Sequence, residues 1–278
     1  MEKLVLPKVG LGTWAMGGKR EADRSHDEEV IEAITYALDI GYTHIDTAEL
    51  YGVGHCEELV GQAIKGRDRS QLIIATKVTD NHLAYDDVLA AAERSLKRLA
   101  LDYIDLYYIH APNPNIPITE TMRAFDHLME QGLIQHIGVS NFTVSQMKEA
   151  QAATKHKIVA NQIEYSLYAR ETGKYGGNNH MESEEVPYCQ EQDVYVVAER
   201  PLERGLLLER NDIMDEMAEK YGKSYAQIAI NWLVSQNSVV TIPKAIARDR
   251  LKENFEAGTW QMGATDIEKL RKEYPNQI

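Results

Sequence analysis

Along the 278-residue chain, short apolar or β-branched runs alternate with longer stretches of helical period. The runs are KVGLGTW (8–14), YTHIDTA (42–48), LIIATKV (72–78), YIDLYYIH (103–110), IQHIGVSNF (134–142), KIVANQIEY (157–165), VYVVAERPL (194–202) and VVTIPKA (239–245). One such run every ~35 residues is the spacing of a strand, a loop and a crossover helix. Between them Val30, Ile31, Ile34, Ala37 and Leu38 keep an apolar stripe, as do Leu89, Ala92, Leu96 and Leu99 before the fourth strand. Four pairs have capping-box spacing and predict helix starts: Ser25 with Glu28, Thr143 with Gln146, Ser224 with Gln227 and Thr265 with Glu268. Gly41 stands where a helix end takes a left-handed residue.

No Ser/Gly/Pro-rich linker interrupts the alternation. The polar, Gly-rich stretch 169–188 predicts a surface loop leading to a short helix. Eight strand–helix units without a linker predict a single-domain (β/α)₈ TIM barrel over 1–278. A doubly wound sheet is the runner-up, but no GxGxxG lies between a strand and a helix, and GVGHC at 52–56 lacks that spacing. An apolar share of 44% excludes a disordered chain. The 43 acidic and 30 basic side chains, a formal charge of −13, argue against a nucleic-acid partner while leaving room for a local phosphate pocket. Cys56 and Cys189 make no disulfide framework or zinc spacing and read as packing or surface residues. The start MEKLVLPKVGLG lacks a signal-peptide pattern, and no apolar run approaches the ~18–20 residues of a membrane span. The expectation is a cytoplasmic protein without membrane attachment, a monomer or weak oligomer.

In a barrel, the C-terminal ends of the strands face one shared site. That rule selects Asp46, Lys77, His110, Ser140, Asn141, Gln162 and Glu164. Singly, each has an ordinary structural reading as a helix cap, a solvated cation or a core histidine. Together they converge beside a tyrosine, Tyr51. At this point the chain resembles the aldo-keto reductase family over nearly its full length. Asp46-Thr47-Ala48-Glu49-Leu50-Tyr51-Gly52 is similar to the family signature, and Lys77 in ATKV and His110 in YYIHAP match the rest of its catalytic tetrad. GVSNF (138–142) and NQIEY (161–165) resemble the segments that hold the nicotinamide carboxamide, which implies Ser140, Asn141 and Gln162 there. GLGTW (10–14) implies Thr13 near the nicotinamide ribose and Trp14 at the substrate pocket. IPKAIARDRLKENF (242–255) is similar to the segment for the adenosine 2′-phosphate, with Glu253 and Asn254 toward the adenine.

The resemblance implies transfer of a hydride from NADPH to an aldehyde or ketone, with no metal required. Tyr51 would give the proton, Lys77 would lower its pKa, Asp46 would hold Lys77, and His110 would orient the carbonyl. Lys244 and Arg250 would bracket a 2′-phosphate and favour NADP(H) over NAD(H), although Ala245 replaces a frequent Ser or Thr. A second departure lies in Ala198-Glu199-Arg200-Pro201-Leu202, where Glu199 takes the place of the aromatic that stacks on the nicotinamide. The expectation is an altered grip at the ring end, unless Glu199 pairs with Arg200 or faces the surface. Trp14, Tyr51, His110 and Pro112 are the expected substrate contacts, with Tyr168, Tyr175 and His180 as further candidates. The chain's end at Ile278, soon after the last helix, predicts an open, permissive mouth. Two other readings remain: an NADP(H)-binding sensor or regulatory subunit with vestigial activity, and a sugar-phosphate isomerase or lyase on the same barrel.

Overall fold

Each apolar run carries one strand: β1 Leu11–Gly12, β2 His44–Asp46, β3 Ile73–Val78, β4 Ile104–Ile109, β5 Ile134–Ser140, β6 Ile158–Glu164, β7 Tyr195–Glu199 and β8 Val239–Thr241. The computed structural model describes residues 3–172 and 180–275. Neighbours pair in parallel in sequence order. The ring closes where Val9 bridges Thr241 and the Gly10 amide donates to the Thr241 carbonyl at 2.8 Å. A parallel neighbour needs a crossover rather than a tight turn. The crossovers are α1 Asp27–Asp39, α2 His55–Ala63, α3 Tyr85–Leu99, α4 Ile118–Glu130, α5 Val144–Ala152 and α6 Val186–Glu191. α7 Asp212–Tyr221 and α8 Tyr225–Val234 share the return from β7 to β8, and α9 Arg248–Glu256 and α10 Ala264–Glu273 follow β8. The predicted (β/α)₈ barrel is the observed fold.

Strand side chains alternate between faces, and the inward set changes character along the barrel. Toward the start of the strands Ala75, Leu106, Ala160, Val197 and Val240 cluster with Leu4 and Leu6. Two residues on, the same face presents Lys77, Gln162 and Glu199. The barrel is therefore greasy at one end and ionisable at the other.

The helix starts follow the sequence in part. Thr143 with Gln146 and Ser224 with Gln227 form capping boxes on α5 and α8. The other two pairs do not. The Ser25 hydroxyl donates to Asp23 at 2.5 Å, leaving His26 at the cap of α1. α10 begins at Ala264 after an extended Gly263, which puts Thr265 inside the first turn. Gly41, at φ 111°, ends α1 as expected, with the Gly41 and Tyr42 amides donating back to Leu38 and Ala37.

In 169–188, the π-helical turn Met181–Glu185 leads into α6, and Tyr175 lies outside the described residues. Both cysteines are buried, and burial pushes their thiols up to about 11 for Cys56 and about 12 for Cys189. Among the described residues no helix is long and apolar enough to cross a membrane.

Candidate active site

Asp46 closes β2, and the register Asp46 to Ala75 puts Lys77 two residues higher on the neighbouring strand. Lys77 Nζ donates to Asp46 Oδ1 at 2.5 Å and to the Thr47 carbonyl at 2.8 Å. From β6, across the barrel, Gln162 Nε2 donates to Asp46 Oδ2 at 2.9 Å. Both members of the ion pair are buried, where either charge alone would be strongly destabilising.

Tyr51 reaches this pair from the turn after β2. Gly52, Val53 and Gly54 all adopt left-handed backbone before α2 starts. Only glycine suits position 52, because a Cβ there would lie 2.2 Å from the Gly17 carbonyl oxygen. The Gly52 amide donates to the Lys19 carbonyl at 2.9 Å, tying the turn to the β1–α1 loop. The phenol is thereby turned over Lys77, whose Nζ donates to the Tyr51 hydroxyl at 3.3 Å. Trp14 and His110 pack on the Tyr51 ring at centroid distances of 4.8 and 5.7 Å.

Burial is the largest influence on Tyr51, and with the charges of Asp46 and Glu199 it holds the phenol well above its usual pKa. This corrects the direction expected from sequence. The lysine hydrogen bond does favour the phenolate, but exclusion of water outweighs it. Tyr51 is therefore protonated at neutral pH. His110 follows β4, and burial with the nearby Lys77 charge lowers its pKa to about 3, so its ring is neutral. Its Nδ1 is buried without a hydrogen-bond partner.

Asn141, just past β5 at φ 61°, donates Nδ2 to the His110 carbonyl at 3.3 Å and to Ser140 Oγ at 3.1 Å. Its Oδ1 is buried and unpartnered. Thr13 donates its hydroxyl to the Asp46 carbonyl at 3.0 Å.

Above this floor opens a cavity of ≈ 920 Å³. Thr13, Trp14, Asp46, Tyr51, His110 and Asn141 line it, as do Glu199, Arg200, Pro201 and Leu202, and Lys244, Arg250, Glu253 and Asn254. Lys77, Ser140 and Gln162 are buried and do not line it, and Pro112 is not in its wall. Nor are Tyr168 and His180. Sequence reasoning missed Arg20, Leu50, Arg204, Leu208 and Tyr225 in the lining. Most come from irregular segments with no periodic signal. Tyr225 alone had one, since it follows the Ser224 capping residue.

The departure at β7 takes a definite form. Arg200, at φ 54°, places one guanidinium nitrogen 3.2 Å from Glu164 Oε2 and 3.4 Å from Glu199 Oε1. Glu199 both pairs with Arg200 and lines the cavity. Burial raises its pKa, and burial also lifts Glu203, which accepts from the Ser166 hydroxyl at 2.9 Å, to about 7.

A second cavity of ≈ 740 Å³ contains none of these residues. Three of its cations are already engaged, Arg98 with Glu57, Arg69 with Asp105 and Arg67 with Asp39.

The profile of the Aldo/keto reductase family matches residues 8–274. The chain belongs to that family. It is an oxidoreductase, an aldo-keto reductase. It is 37% identical to glyoxal reductase of Bacillus subtilis (strain 168) over 267 residues, 95% of this chain and 88% of the relative. To methylglyoxal reductase YeaE of Escherichia coli (strain K12) it is 32% identical over 277 residues, 97% and 92% of the two chains. Among solved structures, the thermostable aldo-keto reductase Tm1743 with the inhibitor epalrestat superposes with a TM-score of 0.90 at 42% identity, covering 96% of this chain and 94% of that one. An aldo/keto reductase of Klebsiella pneumoniae with NADP and acetate gives 0.85 at 32%, covering 98% and 93%. For this aldo-keto reductase the barrel's polar end is thus the place to seek the chemistry.

Proposed function

We propose that this aldo-keto reductase reduces short aldehydes and ketones with NADPH, the dicarbonyls glyoxal and methylglyoxal first among them. The observation that carries the reading is the Tyr51 hydroxyl hydrogen-bonded to Lys77, itself held by Asp46, at the floor of an open cavity. The residues fit a nicotinamide dinucleotide phosphate: Asn141 offers an unpartnered amide oxygen on the floor, and Lys244 and Arg250 offer cations for a 2′-phosphate. When bound, the reduced nicotinamide supplies the hydride. Tyr51, protonated at neutral pH, donates its proton to the carbonyl oxygen. His110, neutral, orients that oxygen, and Lys77 is placed to stabilise the phenolate left behind. Asp46 holds Lys77 in position, and Gln162 holds Asp46. Trp14 and Leu50 give the wall beside Tyr51 an apolar character. The glyoxal and methylglyoxal activities of the two named relatives support small substrates.

Tyr51→Phe tests this. Reduction of methylglyoxal should fall at least ~100-fold, the scale of losing a positioned general acid, while NADPH quenches protein fluorescence as before. Tight NADPH binding by the unaltered protein without turnover of any carbonyl would favour the sensor reading instead.

A further inference from the structure

Three carboxylates and one guanidinium meet where β6 and β7 end. Glu164 and Glu199 are register partners on adjacent strands, and Glu203 lies in the turn beyond. Arg200 lies between the first two, within 3.4 Å of each. With any two of the carboxylates ionised, the cluster keeps a net negative charge. On the same floor the buried Asp46–Lys77 pair cancels internally. Of the three carboxylate residues Glu199 is the one in the cavity wall, beside Arg200, and its side chain is 22% exposed.

On the function proposed above, the carbonyl meets Tyr51 and His110, and of the two cations for the phosphate Lys244 lies in the loop after β8 and Arg250 in α9. A dinucleotide joining these places must bring its redox-active ring to the floor that His110, Asn141 and Glu199 share. The two redox forms of that ring differ by one charge: the oxidised nicotinamide is a cation, the reduced one neutral. A carboxylate beside it discriminates between them, whereas cations that meet the phosphates act on charge common to both. We propose that Glu199 is a specificity-determining residue for the redox state of the cofactor, holding NADP⁺ in preference to NADPH. The preference would make release of the oxidised cofactor a slow step in reduction and would assist the reverse oxidation of alcohols.

Protonation sharpens the test. Facing Glu199 are Arg200, Glu164 from β6, Glu203 from the turn beyond β7, Asp46 from β2, Lys77 from β3 and the Tyr51 phenol. Burial raises the Glu199 pKa, and a cationic ring would lower it again, so NADP⁺ binding releases a proton and strengthens as pH rises. The 2′-phosphate also titrates, but equally in the two forms, and cancels in their ratio.

The experiment is fluorescence or calorimetric titration with NADP⁺ and NADPH from pH 5.5 to 8.5, on the unaltered protein, Glu199→Gln and Glu199→Asp. We expect Glu199→Gln to weaken NADP⁺ binding about tenfold while NADPH binding moves by less than about twofold. It should also reduce the pH dependence of the ratio, leaving only the part that Glu203 contributes. Glu199→Asp, which keeps the charge, should retain both the ratio and its pH dependence. Equal changes for the two redox forms, or an unchanged ratio in Glu199→Gln, overturn the inference and leave the reductase reading intact. Failure of the unaltered protein to bind either dinucleotide overturns both.

Discussion

Tyr51, Lys77 and Asp46 illustrate how little a side chain's own chemistry says about its behaviour in place. The same burial that holds Tyr51 protonated keeps the His110 ring neutral. His44 shows the effect away from the cavity. It is buried inside the barrel, both ring nitrogens are unpartnered, and its pKa is pushed down to about 4. In the unfolded chain a histidine takes up its proton near a pKa of about 6.5. Between that value and about 4 the unfolded state binds the extra proton, so the folded state loses about 1.4 kcal/mol per pH unit as pH falls. Glu203, raised to about 7, works with the opposite sign, because there the folded state holds the proton as pH falls. The comparison must therefore be between proteins. Urea denaturation should show His44→Leu gaining stability relative to the unaltered protein from pH 7 down to pH 4.5. A difference that does not vary with pH would refute the assignment. None of these directions was legible in the sequence, since desolvation is a property of the surroundings.

At the scale of elements, the strand positions and the two capping boxes of α5 and α8 were readable because each depends on residues close in sequence. The two boxes that did not form were equally convincing as patterns. Asp23 takes the Ser25 hydroxyl in one case, and in the other the backbone turns helical before Thr265. The stability consequences separate the two classes. Thr143→Ala and Ser224→Ala should each cost about 1 kcal/mol, measured by chemical denaturation, while Thr265→Ala should stay within about 0.5 kcal/mol. The turn carrying Tyr51 belongs to this scale as well. Its consecutive left-handed residues are supported by the Gly52–Lys19 hydrogen bond and by the close approach of Gly17, a contact between two loops that periodicity does not reveal.

For the whole molecule, net charge and local charge part company. The chain carries −13 overall, yet Arg20, Arg200, Arg204, Lys244 and Arg250 all line one cavity. On the proposed function, Lys244 and Arg250 read the phosphate that separates NADPH from NADH. Replacing either by alanine should weaken NADPH binding by about 10- to 100-fold, the scale of a lost charge-assisted hydrogen bond, and leave NADH binding nearly unchanged. Added salt should weaken NADPH binding more in the unaltered protein than in either variant. Equal losses for both dinucleotides would assign these cations to a part of the cofactor that the two share.

The sequence by itself determined the alternation of strands and helices, the single barrel and the family. Each of these follows from local periodicity or from short motifs whose residues are close together in the chain. It also brought forward Asp46, Lys77 and His110, because strand ends in a barrel converge on one face, and Tyr51 through the motif that resembles the family signature. Tertiary structure alone decided what those residues meet. Gln162, expected on a cofactor amide, donates to Asp46 from 116 residues away, and Arg200 divides itself between Glu164 and Glu199. Only closure of the barrel brings such groups together, and only their shared removal from water sets which of them hold their protons.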